Sequence, residues 1–180
     1  MKETPFIERR KEYRLPYQEK VIFTDGKRST TAYAANISRG GVFLTTLEPA
    51  PIDTSGFVAF MLPNQAMSLG MKAKVVHIVF DRQRCEIECG MGFQFLELNE
   101  SQRSILNLHI LNEQATYLEL KKILAEPRPS KAAMDRCLKR MPALARLDLL
   151  GLRYRVNRIC TLFEPAASPF EHAGEQKLSA

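Results

Sequence analysis

Arg10 and Arg14 stand four residues apart in a charged N-terminal stretch that also holds Arg9, and Asn36-Ile37-Ser38-Arg39-Gly40-Gly41 follows downstream. These residue types suit one kind of chemistry. A guanidinium can fork onto a phosphate or onto the O6 and N7 atoms of guanine, and its flat cation stacks on a base, whereas lysine offers only a point charge. An asparagine amide supplies two donors and an acceptor, and a serine hydroxyl supplies a donor with acceptor lone pairs. Glycines at 40 and 41 let a backbone approach where a side chain would collide. Taken singly, each piece has a plainer explanation. Arginines four apart occur by chance, and a charged arm is commonly just solvated. Asn-x-Ser before Gly-Gly commonly closes a tight turn on its own backbone.

Other chemistries find little support. There is no G-x-S-x-G elbow and no P-loop, and Gly90-x-Gly92 lacks the rest of a dinucleotide fingerprint while sitting inside a strand pattern. No carboxylate pair stands out in an apolar run, so the chain is not expected to be an enzyme. Cys85, Cys89, Cys137 and Cys160 form no C-x-x-C pair, and His77, His109 and His172 are far apart. Zinc spacing is therefore missing, no metal or resident cofactor is expected, and a disulfide framework is not expected either. Cys85 and Cys89 flank Ile87 with period 2 and read as small apolar residues on the inner face of a strand. No apolar run reaches the roughly 18–20 residues of a membrane span, and the polar N-terminus lacks the apolar stretch of a signal peptide. The expected compartment is the cytoplasm.

The elements that would have to position the arginines and the Asn-x-Ser turn can be read from periodicity. Residues 1–16 are charged, end in Leu15-Pro16, and read as a flexible arm. Residues 17–97 read as six strands: around 21–23, 29–38, 42–46, 56–62, 67–80 and 85–98, separated by Asp25-Gly26, Arg39-Gly40-Gly41, Pro49 with Pro51, Pro63-Asn64 and Asp81-Arg82. Short turns between six strands favour a small closed or nearly closed barrel; a doubly wound parallel sheet would need long helices between strands. At Asn99-Glu100-Ser101-Gln102 the period changes to that of a helix with a capping box, which stops at Pro127. At ~1.5 Å per residue this helix is about 40 Å long. Leu108, Leu111, Ala115 and Leu118 recur at helical spacing, a stripe expected to pack on the barrel or on later helices, or to join a second copy of the chain. Residues 126–163 read as a small helical extension, with Met134, Leu138 and Met141 on one face and Leu152, Val156, Ile159 and Phe163 on another. Residues 164–180 lose all periodicity and are expected to be a disordered tail.

The net charge of +6 belongs to that extension. Residues 128–158 carry nine lysines and arginines against only Asp135 and Asp148. A nucleic-acid surface spread over the whole fold is not indicated, and the basic segment has little aromatic interleaving, so nucleic-acid binding through these helices is the minor reading.

In its ordered combination, this chain resembles the PilZ family of bacterial cyclic-di-GMP receptors, whose pattern is R-x-x-x-R followed by [DN]-x-S-x-x-G. Arg10 and Arg14 match the first motif, and Asn36, Ser38 and Gly41 match the second, with Asn36 where Asp is more usual. Val42-Phe43-Leu44 and Gly90-Met91-Gly92-Phe93-Gln94-Phe95 agree with the strands expected in such a chain. The resemblance covers about residues 7–112. It implies a mainly β fold, a six-stranded antiparallel barrel over residues 17–125 with its C-terminal helix. It also implies a cyclic-di-GMP site made of Arg9, Arg10, Arg14, Asn36, Ser38, Gly40 and Gly41; Arg9, beside the motif pair, either serves a second ligand molecule or simply points to water. The implied role is a receptor whose arm closes on the ligand and signals to a protein partner; a barrel that serves only as an adaptor is the alternative. Residues 126–180 fall outside the resemblance, and the barrel is expected to fold without them.

Overall fold

A computed structural model describes residues 14–62, 68–80 and 89–163. The seven strands are β1 (Leu15–Pro16), β2 (Lys20–Thr24), β3 (Ser29–Ile37), β4 (Gly41–Thr45), β5 (Ser55–Met61), β6 (Ser68–Val79) and β7 (Gly90–Phe95). Three helices follow, α1 (Glu100–Ala125), α2 (Lys131–Arg140) and α3 (Leu149–Cys160). All strand pairs are antiparallel. They run β3-β2-β5-β6-β7-β4, and β4 returns to pair with β3, so six strands close into a barrel with no free edge. This is the six-stranded barrel expected from the sequence.

Alternation explains why the barrel closes around an apolar core. Val21 and Phe23 on β2, Val42 and Leu44 on β4, and Val58 and Phe60 on β5 are buried while their neighbours along each strand are more exposed. Phe23 and Phe93 meet across the interior with ring centroids 4.7 Å apart.

Three elements differ from the sequence reading. The end of the presumed arm, Leu15–Pro16, is a short strand laid on β3, with Leu15 opposite Ile37 and Pro16 opposite Asn36. Leu15 is fully buried, its apolar side chain leaving water for the barrel core. The last barrel strand, β7, ends at Phe95 and stops short of residue 98, and residues 85–88 lie outside the described residues. Cys89 just before it is buried as expected, whereas Cys85 lies outside the described residues.

The third difference concerns α1. Its start matches the sequence: Asn99 Oδ1 accepts from the Gln102 amide at 2.8 Å, and Gln102 Oε1 accepts from the Asn99 amide at 2.9 Å. Its packing face does not. Leu106, Ile110, Tyr117, Leu120 and Leu124 are buried, while Leu108, Leu111, Ala115 and Leu118 face outward. Both sets recur at spacings near 3.6, so periodicity could not choose between them; what decides is that the first half of the helix docks on the barrel. Gln102 Nε2 donates to the Gly70 carbonyl of β6 at 2.7 Å and fixes that docking.

The length of α1 is explained by its second half, which carries α2 and α3. Leu152, Val156 and Ile159 of α3 and Cys137 of α2 are buried in one continuous apolar cluster with Tyr117, Leu120 and Leu124. Phe163 meets Tyr117 edge-on at 6.2 Å, and the Cys160 thiol donates to the Tyr117 carbonyl. The expectation that the barrel and α1 fold without the extension runs against this packing, since removing it would bare the apolar face of α1. The expected tail at 164–180 lies outside the described residues.

Candidate functional site

The strand that carries Asn36 first has to turn it outward. Ala32 and Ala34 face the core of β3, and an unbroken period of two would send Asn36 inward with them. The register between β3 and β4 shifts between Ala34 and Asn36, so that Ile37 takes the inward position. This extra residue is a β-bulge, and it moves Asn36 to the outer surface of the barrel wall. A second bulge interrupts β6 between Val75 and His77. Val75 is buried, and both Val76 and His77 are left exposed.

Between these two irregularities lies a cavity of about 210 Å³ at the mouth of the barrel. Arg14, Asn36, Ser38, Gly40 and Gly41 contribute to its wall. Five of the seven residues singled out in the sequence thus converge on one cavity. Arg9 and Arg10 lie outside the described residues. Arg14 is placed here because Leu15, its neighbour, is pinned to Ile37 beside Asn36.

The turn from β3 to β4 is built by Ser38. Its amide donates to the Gly41 carbonyl at 2.8 Å, its hydroxyl donates to the same carbonyl at 3.4 Å, and the Gly40 amide donates to the hydroxyl at 3.3 Å. The plain reading of Asn-x-Ser-x-Gly-Gly, a turn that satisfies its own backbone, is therefore true of Ser38. The hydroxyl shapes the cavity floor as well as lining it. Gly41 is demanded by a close approach: a Cβ there would sit 2.1 Å from the Phe93 carbonyl oxygen on the adjoining β7.

Sequence reasoning missed the opposite wall. His77 on β6 and Gln94 on β7 line the same cavity, with Val76 and Phe93 beside them. His77 faces Gly92 across the ladder, where a Cβ on residue 92 would come within 3.4 Å of the His77 Cβ. Nothing in the spacing of His77 marks it; only the bulge turns it to the cavity. Gly92 was the available signal, as the second glycine of Gly90-Met91-Gly92-Phe93-Gln94-Phe95.

The arrangement offers an arginine, two amide side chains and an imidazole around a shallow, partly apolar hollow. Such a set can grip a phosphate and read a purine edge. Among the described residues no group of three or more His, Cys, Asp or Glu side chains could hold a metal ion, and no helix is long and apolar enough to cross a membrane.

A family model described as the PilZ domain matches residues 8–112, more than half of the chain. The chain belongs to the PilZ family. Among solved structures, the Bacillus subtilis inhibitor of motility MotI/DgrA is similar over 61% of this chain and 52% of its own, at 18% identity and a TM-score of 0.52. Escherichia coli YcgR, solved in complex with c-di-GMP, is similar over 62% of this chain and 48% of its own, at 15% identity and a TM-score of 0.50. At these identities the likeness shows the PilZ barrel fold, and this chain spans about half the length of either protein. A search of curated protein sequences found no match. Of the residues that carried the PilZ resemblance in the sequence, Arg14, Asn36, Ser38 and Gly41 line this cavity, and Arg10 lies outside the described residues.

Proposed function

We propose that this PilZ chain is a cyclic-di-GMP receptor that binds the nucleotide at the barrel mouth and passes the event to a protein partner. One observation carries the reading: Arg14, Asn36, the Ser38 turn and Gly41 share a single cavity although they come from the arm, two strands and a turn. Membership of the PilZ family and the cyclic-di-GMP bound to YcgR support the choice of ligand.

In this reading Arg10 and Arg14 fork onto the phosphates or stack on guanine from the arm, and Asn36 meets a guanine edge. Gly40 and Gly41 admit the ligand close to the backbone, and Arg9 serves a second ligand molecule. Arg14 is tethered to the barrel by Leu15, and closure of the arm over the ligand is the conformational event that signals. An adaptor that binds no nucleotide would have no need of the whole motif set, and this chain keeps it complete. The uncovered leucines 108, 111 and 118 on α1 support self-association through that helix, which the solution mass of a Leu111→Glu variant tests against the parent.

The test is calorimetric titration of the whole chain with cyclic-di-GMP. Saturable binding is expected, with Asn36→Ala reducing affinity about tenfold, the loss of one or two hydrogen bonds to the guanine edge. GMP should compete weakly. Absence of binding by the parent chain overturns the proposal.

A further inference from the structure

A second cavity, of about 320 Å³, adjoins the first, and Gly40 stands in the wall of both. Its other walls come from three places: Arg39 of the β3–β4 turn, Phe95 and Glu97 at the end of β7, and Arg103, Leu106 and Asn107 on α1. We propose that this cavity holds one guanylate half of the bound cyclic-di-GMP, so that helix α1 is itself a ligand contact. The inference rests on the proposed function and extends it to a site the motifs do not mark.

Four observations carry it. The first cavity, at 210 Å³, falls short of the ~300 Å³ at which small-molecule pockets begin, and cyclic-di-GMP carries two guanosine units; the two cavities together reach the usual range. The second cavity presents two guanidinium groups, the side chain best suited to forked recognition of phosphate or of guanine O6 and N7. Arg39 has no hydrogen bond or ion pair among the described residues. Arg103 is held through one nitrogen, its Nε donating to the Leu98 carbonyl at 3.0 Å, which orients the fork and leaves its terminal amino groups unbonded among the described residues. Finally, the one carboxylate present, Glu97, is already matched by Lys72 at 2.6 Å, which also holds its pKa below the usual range. The cavity therefore keeps a cationic surplus. The Asn107 amide offers donors and an acceptor to a base edge.

The consequence is mechanical. A ligand spanning both cavities ties the β3–β4 turn to the first turns of α1, and α1 carries α2 and α3 on its other half. Occupancy of the barrel mouth is then felt by the basic extension through one rigid helix.

Calorimetric titration of the full chain with cyclic-di-GMP tests this, with the parent, Asn36→Ala, Arg39→Ala, Arg103→Ala and the Arg39→Ala/Arg103→Ala double variant compared. Each arginine variant is expected to lose about tenfold or more in affinity, the loss of a charge-assisted contact. Arg39 is exposed and has no hydrogen bond or ion pair among the described residues, so its variant should melt with the parent and separates a binding effect from a folding one. If the parent binds, Asn36→Ala is impaired and the double arginine variant binds as the parent does, the second cavity is not part of the site. If the parent itself fails to bind, both this inference and the proposed function are overturned.

Discussion

Tyr17 meets His109 edge-on, with ring centroids 5.9 Å apart and planes at 71°. Tyr17 is three residues past Arg14, and His109 is on α1, so the root of the arginine-bearing arm touches the long helix directly. Burial pushes the tyrosine hydroxyl pKa up and the imidazole pKa down, so both rings are neutral near pH 7 and the contact is between two uncharged aromatics. The Tyr17 hydroxyl donates to the Met61 carbonyl, and its ring lies edge-on to Phe60 at 5.8 Å.

Tyr17→Ala should therefore destabilise the chain by about 3–5 kcal/mol, in the manner of other large aromatic truncations. Tyr17→Phe should cost about 1–3 kcal/mol, since it keeps the ring and leaves the Met61 carbonyl without its donor. Urea melts of both variants check this. A Tyr17→Ala protein that melts with the parent would show that the arm root is loose.

Arg10→Ala and Arg14→Ala should each weaken cyclic-di-GMP binding about tenfold or more, with little change in the melt of the free protein. Arg9→Leu should lower the number of ligands bound per chain from two towards one while binding persists. Calorimetry gives both affinity and stoichiometry. One ligand per parent chain would remove the role assigned to Arg9, and full affinity in an Arg10/Arg14 double variant would remove the arm from the site.

Gly41→Ala should be severe. Its Cβ would meet the Phe93 carbonyl oxygen at 2.1 Å, and that oxygen belongs to backbone that cannot swing aside. The β4–β7 ladder must part locally, so a loss of ligand binding together with a lowered melting temperature is expected. Gly26→Ala is the comparison, because nothing lies within 4 Å of its Cβ and only its positive φ of 85° opposes the change. Equal melts for Gly41→Ala and the parent would be the contrary result.

The sequence made much of this legible, and its gaps have physical causes. Strand period, turn residues and the Asn99–Gln102 box lie within a few residues of one another, so the barrel strands and the start of α1 could be read locally. The Asn-x-Ser-x-Gly-Gly motif could be read because its spacing is a turn. His77, Gln94 and Arg103 could not, since each reaches its cavity only through a bulge, a register or a docked helix formed with distant chain. The leucine stripe at 108, 111 and 118 misled for the same reason. Tyr117, Leu120 and Leu124 define an equally regular face, and only the partners α2 and α3 decide which face is buried.

Glu113 gives stability a pH dependence. Burial raises its pKa from 4.5 to about 7, and Arg140 only partly opposes this. The folded chain therefore holds a proton that the unfolded chain releases between about pH 4.5 and 7, so stability from this group falls as pH rises through that window. Solvent screening of a half-buried carboxyl limits the effect to about 1–2 kcal/mol. Glu113→Gln should match the parent near pH 4.5 and exceed it by that amount at pH 8. His109, one turn earlier, acts in the opposite sense: its lowered pKa makes stability fall as pH drops below about 6.5. Urea melts at several pH values on Glu113→Gln and on a Glu113/His109 double variant separate the two. A Gln variant that tracks the parent across the range would exclude Glu113 as the cause.

The basic extension should prove part of the fold as well as a candidate output. Leu152 and Val156 are buried against Tyr117, Leu120 and Leu124, and the cluster runs unbroken into the barrel core. Leu152→Ala should cost about 2–5 kcal/mol and lower the single melt of the whole chain. An independent appendage would instead show a separate early transition with the barrel melt unmoved. Truncation after Ala125 removes all of α2 and α3, so α1 would face water with the apolar side that Tyr117, Leu120 and Leu124 form. That fragment should aggregate or lose cooperative melting. Replacing Tyr117, Leu120 and Leu124 with polar residues in the fragment should restore its solubility, because only the bared face is at fault and the barrel contacts of Leu106 and Ile110 are intact. If the unmodified fragment melts cooperatively and binds cyclic-di-GMP like the parent, the extension is dispensable for folding, and its packing on α1 serves only to receive the signal.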